Sequence, residues 1–134
     1  MSEPYALITS ESIQLEEIKK VLEACGAIQT NGLEWRISQG ARHVWIYPSP
    51  NGLNDLETDE LFLITQTLGG TPLCEWILDV NSAEGSEALA IDFAVKCAER
   101  WPLVVYDLES RVLTVDELRR LTLLGHGFHE SLNS

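Results

Sequence analysis

The sequence predicts one mixed α+β domain built as a two-layer sandwich, and three observations lead there. Alternating apolar and polar residues mark half-buried strands at 33–38 and 71–80, while apolar residues recur at helical spacing in 15–25, 61–68 and 89–97. Strand and helix signals alternate along the chain with turn residues between them, the pattern of a sheet covered by helices. A chain of 134 residues with 45% hydrophobic content is one domain's worth. Burying roughly 68% of its unfolded surface needs no disulfide or metal staple.

Residues 5–9 form a short apolar strand, followed by Ser10, Glu11 and Ser12, which offer two N-caps and an acid suited to a helix dipole. In the helix that follows, Leu15, Ile18, Leu22 and Cys25 share a face and Glu16 and Lys20 form an i,i+4 pair. Gly26 is placed to end it as the C′ residue. Asn31-Gly32 turns the chain. Leu33, Trp35 and Ile37 then alternate with Glu34, Arg36 and Ser38, residues 38–41 read as a tight reversal, and residues 43–47 supply the partner strand of a hairpin. That partner is apolar on both sides. Val44 and Ile46 face one way, Trp45 and Tyr47 the other, so its ring-bearing face needs cover.

Residues 48–55 are loop chemistry, with Pro48, Pro50 and an Asn51-Gly52 pair. Thr58, Asp59 and Glu60 lead into Leu61, Ile64 and Leu68 at helical spacing until Gly69-Gly70 stops the run. Residues 59–68 therefore read as a helix, although the short apolar run 61–65 also fits a buried strand. Residues 71–80 are a clearer strand, with Cys74, Trp76, Leu78 and Val80 set against Glu75 and Asp79. Residues 81–86 supply turn and cap chemistry for an Ala-rich helix with Leu89, Ala90, Phe93, Ala94 and Cys97 on one face. Trp101-Pro102 ends it, residues 103–106 make a short buried strand, and a turn at 107–110 leads to Arg111-Val112-Leu113. Thr114-Val115-Asp116-Glu117 is a capping box that opens a last helix with Leu118 and Leu121 inward. The domain spans 1–134, with a frayed tail expected at 125–134.

The order is β-α-β-β-α-β, then α-β-(β)-α. The first part matches a ferredoxin-like split β-α-β core. The strand at 71–80, the Ala-rich helix and the strand at 103–106 add a right-handed crossover. Helices on one side leave the other sheet face open. Trp45 and Tyr47, or Trp35 in the other register, then form a partner surface or lie under the C-terminal helix, and cover by that helix is the expected arrangement.

Charge narrows the function. The chain carries 21 acidic residues against 9 Lys and Arg, a net charge of -12. General binding to nucleic acid and to anionic membranes is excluded, because both need clustered cations. From His43 to Val95 there is no Lys or Arg, while Asp55, Glu57, Asp59, Glu60, Glu75, Asp79, Glu84, Glu87 and Asp92 fall inside. Such a segment serves solubility, or forms an electrostatic face for a basic partner. The N-terminus lacks a basic region and a long apolar run, so a cytosolic location is expected. Cys25, Cys74 and Cys97 are odd in number without Cys-x-x-Cys spacing, as expected for buried free thiols in a reducing compartment.

No catalytic or cofactor motif emerges, and no enzyme activity is expected. The many carboxylates contain no pattern that selects an acid/base pair. Asp55-x-Glu57-x-Asp59 has Glu60 where a calcium loop needs glycine and Gln66 where it needs a bidentate acid. His126 and His129 lack a third ligand nearby, and His43 sits alone on a strand. There is no Gly-x-Ser-x-Gly elbow, Glu75 beside Cys74 would raise its thiol pKa, and Gly69-Gly70 lacks the Lys-Ser/Thr of a phosphate loop. RNA stacking on Trp35, Trp45 and Tyr47 beside Arg36 and Arg42 is opposed by the acids that follow. No metal or other cofactor is expected.

What remains is an interaction protein. Asp55, Glu57, Asp59, Glu60, Glu75 and Asp79 would meet a basic patch, with Trp45 or Tyr47 as anchor. The C-terminal third, an Ala-rich helix followed by Glu99-Arg-Trp-Pro-Leu-Val-Val-Tyr-Asp107 and Arg111-Val-Leu-Thr-Val-Asp-Glu-Leu118, resembles the closing segment of small bacterial immunity proteins against polymorphic or contact-dependent toxins. The resemblance implies one-to-one binding to a cognate toxin domain, often a nuclease, in the producer's cytoplasm. The alternative is a homodimeric regulatory module of ferredoxin-like fold that binds a small molecule, against which the connection 8–12 carries no glycine.

Overall fold

The computed structural model describes residues 2–125, 127 and 128. Seven antiparallel strands form one sheet: β1 (Ser2–Thr9), β2 (Ile28–Asn31), β3 (Glu34–Gln39), β4 (Arg42–Pro48), β5 (Cys74–Asn81), β6 (Leu103–Tyr106) and β7 (Val112–Leu113). Four helices accompany them: α1 (Leu15–Ala24), α2 (Thr58–Leu68), α3 (Ser86–Ala98) and α4 (Val115–Leu124), with a 3-10 turn at Gly52–Asp55 before α2. The mixed α+β expectation holds, and residues 59–68 are helix.

The strand order is β2-β3-β4-β5-β1-β6-β7, which corrects the ferredoxin-like expectation. That arrangement sets the first strand beside the second hairpin strand, whereas here β5 lies between β4 and β1 and pairs with both. β4 and β5 run antiparallel, so α2 only returns the chain between neighbours. A split β-α-β does exist, made of other elements: β5 and β6 are both antiparallel to β1, which lies between them, and α3 joins them. β1 matches β5 over its whole length, from Ser2 opposite Asn81 to Thr9 opposite Cys74.

The layering also differs from two layers. Ile18, Val21 and Leu22 of α1, Ala90, Phe93, Ala94 and Cys97 of α3, and Leu118 and Leu121 of α4 share one core with Tyr5, Leu7, Val44, Ile46, Trp76 and Leu78. On the opposite side Ile64 of α2 packs with Ala6, Ile8, Val104 and Tyr106, flanked by Leu53, Leu56, Leu68 and Ile77. Helix α2, not α4, therefore covers the second face, and only in part. The reason lies in β1 and β6, which are apolar on both faces, so burying Ala6, Ile8 and Val104 needs a helix on each side.

Local signals explain most element ends. Gly26, at φ +77°, forms a Schellman motif, with the Ala27 amide bonded to the Leu22 carbonyl and the Gly26 amide to that of Glu23. The Thr114 capping box is present. The expected cap at Ser10 or Ser12 is not used: α1 starts at Leu15 with Gln14 as N-cap and no side-chain cap bond. The Ser10 amide is instead held by the Pro102 carbonyl, which keeps the chain extended past the end of β1. The tail begins tied down, since Phe128 is buried against the Tyr5 ring at 4.1 Å and its carbonyl accepts from Arg111 Nη1 at 2.6 Å. Residues 126 and 129–134, including the His126/His129 pair, lie outside the described residues.

Candidate functional site

Strand register decides which predicted residues meet. In β4, Val44 and Ile46 join the main core, so Trp45 and Tyr47 project to the side of α2; in β5, Trp76 and Leu78 do the former, Glu75, Ile77 and Asp79 the latter. Trp45 pairs with Arg36 on β3 and with Asp79 on β5, so Arg36, Trp45 and Asp79 form one cross-strand row. Trp45 and Tyr47 are half-buried. The expectation that α4 covers them is corrected, because α4 packs on the opposite side of the sheet against α3.

This row holds unmet hydrogen-bonding capacity. Arg36 Nε and Asp79 Oδ1 are shielded from water and have no hydrogen-bond partner among the described residues. Unpaired polar atoms out of water are costly, by roughly 1–3 kcal/mol each, and call for an explanation. Burial beside Asp79 and Glu34 pushes the Tyr47 hydroxyl above its ordinary pKa, so it stays a hydrogen-bond donor. His43 extends the surface, bonded through Nδ1 to Ser38 Oγ at 2.7 Å, with its ring tilted 5.7 Å from that of Trp45.

The remaining predicted acids sit on the elements that cover the rest of this face, and several have local work. Glu57 and Glu60 form a capping box at the start of α2, with Glu60 Oε1 accepting the Glu57 amide at 2.9 Å. Asp59 Oδ1 accepts the Glu60 amide at 3.1 Å. Glu60 also accepts from the Tyr106 hydroxyl. That bond, with the Glu57 amide second, holds the Glu60 carboxyl below its usual pKa. Asp55 is exposed at the end of the 3-10 turn. Asp107, outside the acidic stretch in sequence, joins this group by the fold: it faces Tyr106 with Asp59 and Glu60, and its Oδ1 accepts the amides of Glu109, Ser110 and Arg111.

Glu75 stands apart. It is 5% exposed, too deep to present a charge to a protein partner, and its Oε2 has no hydrogen bond among the described residues. Burial first and Asp55 second raise its pKa to about 7. Glu84, Glu87 and Asp92 belong to the other side, where Glu87 accepts the Tyr5 hydroxyl at 2.7 Å. So does a basic groove between α1 and α3, lined by Lys20, Lys96 and Arg100. All eight predicted contact residues thus lie on the α2 side, although Glu75 is buried there. Arg36 was missed as a member of the site; its place between Trp35 and Ile37 in an alternating strand is the signal that sets it on the Trp45 face.

Among the described residues, no group of three or more His, Cys, Asp or Glu side chains is placed to hold a metal ion. The three cysteines are free, with Cys97 buried and the other two half-buried. No described helix is long and apolar enough to cross a membrane. Comparison with protein-family models, with curated proteins and with solved structures finds no match to this chain.

Proposed function

We propose that this chain is a bacterial immunity or inhibitor protein of the cytoplasm, which binds and neutralises a cognate basic toxin domain, a nuclease, through the α2 side of its sheet. The observation that carries this reading is the half-buried row of Arg36, Trp45 and Asp79 on the side of the sheet that α2 covers only in part. A basic partner pairs with the half-exposed Asp79 carboxylate and buries the indole, while Asp55 and Asp59 steer its approach. No catalytic group is needed, since occupying a nuclease's substrate patch blocks it by charge and volume.

The test is inhibition of a nuclease domain encoded by the toxin gene adjoining this one. Inhibition with an association rate that falls steeply with salt is expected. Because Glu57 and Glu60 build the α2 cap, the charge-reversal variant is Asp55→Lys with Asp59→Lys, which should slow association by about tenfold or more. Trp45→Ala should instead speed dissociation. A nuclease inhibited equally by all three proteins would move the interface to another face, and one that binds none of them would remove the reading.

A further inference from the structure

A second concave site lies at the end of the sheet where β1 and β4 finish and β5 begins. Its walls include Leu15 at the start of α1, Leu33 in the β2–β3 turn, Pro50 and Leu53 before α2, and Leu73 and Trp76 around the start of β5. It encloses about 360 Å³ and continues into a neighbouring depression that shares Leu15, Leu33 and Trp76. That is the size and apolar character of a small-molecule pocket. Leu15, Leu33 and Leu73 are 51%, 50% and 57% exposed, so three large apolar side chains converge on it without being covered by the chain itself.

Glu75 is the one carboxylate in the lining. The side chain is 95% buried by its 5% exposure, and Oε2 has no partner among the described residues. A carboxylate held out of water without a partner is expensive, and a cation that pairs with it removes the penalty. The surrounding loop is shaped around this group: a Cβ at Gly52 would overlap the Glu75 carboxylate, so the loop approaches it as closely as bare backbone permits. Asp55 adds a second negative charge nearby.

We propose that this groove binds a small organic cation, a protonated primary amine on an apolar body. The ammonium pairs with Glu75 and the body lies against Leu15, Leu33, Leu73 and Trp76. The groove lies at the start of β5, on the same side of the sheet as Trp45 where Glu75 is concerned, but pairing of an amine with Glu75 does not require a partner on Trp45. Charge complementarity selects the occupant: an anion would meet Glu75 and Asp55, and a neutral molecule would leave the carboxylate unpaired.

The test uses the full chain at neutral pH, with phenethylammonium chloride as probe and phenethyl alcohol as its uncharged counterpart, followed in amide proton–nitrogen spectra. Saturable shifts at Leu33, Leu73 and Trp76 are expected with the amine, which should bind at least about tenfold more tightly than the alcohol. Glu75→Gln, isosteric with the protonated acid, should reduce the amine to the alcohol's affinity. Equal affinity of the two probes for the unaltered protein overturns the proposal, as does the lack of saturable groove shifts up to about 10 mM amine. A folded Glu75→Gln protein that binds the amine as well as the parent overturns it too. Should that variant not fold, the comparison of the two probes on the parent chain decides.

Discussion

The two sides of the sheet are built to different standards. Among the described residues, the side of α1, α3 and α4 holds 23 buried apolar residues in one continuous core, whereas the α2 side holds five, centred on Ile64. The first side leaves little of the sheet uncovered. The second leaves β3 and β4 partly open and carries polar atoms without partners. On the proposed function, stability and recognition are divided by face: one side supplies most of the buried apolar core, and the other retains half-buried rings, acids and unpaired groups.

Core truncations give the largest contrast. Phe93, fully buried on α3, and Ile64, fully buried on α2, should both be costly as alanine, about 3–5 and 2–4 kcal/mol respectively. Their consequences should differ. Phe93→Ala should lower the chemical denaturation midpoint of the whole domain. Ile64→Ala should also free α2, so its amides exchange before the rest of the protein opens. Hydrogen exchange of the α2 amides at the global rate in Ile64→Ala would make the two sides one cooperative unit and erase the distinction.

How much of this was legible in the sequence follows the same division. The main core was readable because it rests on local periodicity: Ala90, Phe93, Ala94 and Cys97 at helical spacing, and Trp76, Leu78 and Val80 in alternation. The four helices, the capping box at Thr114 and the opposed directions of Val44 and Trp45 were legible for that reason. Strand β2 was not, since its four residues are all exposed and carry no alternating pattern. Placement of β5 between β4 and β1 was also hidden, because antiparallel pairing leaves several orders open until long-range contacts choose one. The candidate site inherits that limit. Trp45 and Asp79 could be named from composition, but their adjacency depends on two strands far apart in sequence. The burial of Glu75 depends on the loop that folds over it.

Glu75 gives the next effect, confined to the α2 side. Its folded pKa of about 7 lies above the ordinary value of 4.5, so between these values the folded state holds more protons than the unfolded one. Stability must then fall as pH rises through that window. The loss reaches at most roughly 3 kcal/mol above it and vanishes below it. Glu75→Gln should remove this dependence and be more stable than the parent above neutral pH, while matching it in acid. Urea denaturation of both proteins across the window measures the difference directly. Parallel pH profiles would mean that Glu75 is solvated or paired in solution.

The smallest effect comes from the other carboxylate whose pKa moves, and it has the opposite sign. Glu60 is held below its ordinary value by the Tyr106 hydroxyl first and the Glu57 amide second, so its contribution is present above the unfolded value and lost as pH falls through the folded one. Being exposed, it should add little to global stability. It joins α2 to the end of β6 all the same, on the helix whose buried side chain is Ile64. Tyr106→Phe keeps the ring in the core and removes only the donor. The Glu60 titration midpoint, followed by carboxyl-carbon NMR, should rise toward 4.5 but stop short of it, because the bond from Glu57 persists. An unmoved midpoint would leave α2 held to the sheet by apolar contact alone, and the weaker side of the molecule would then be weaker still.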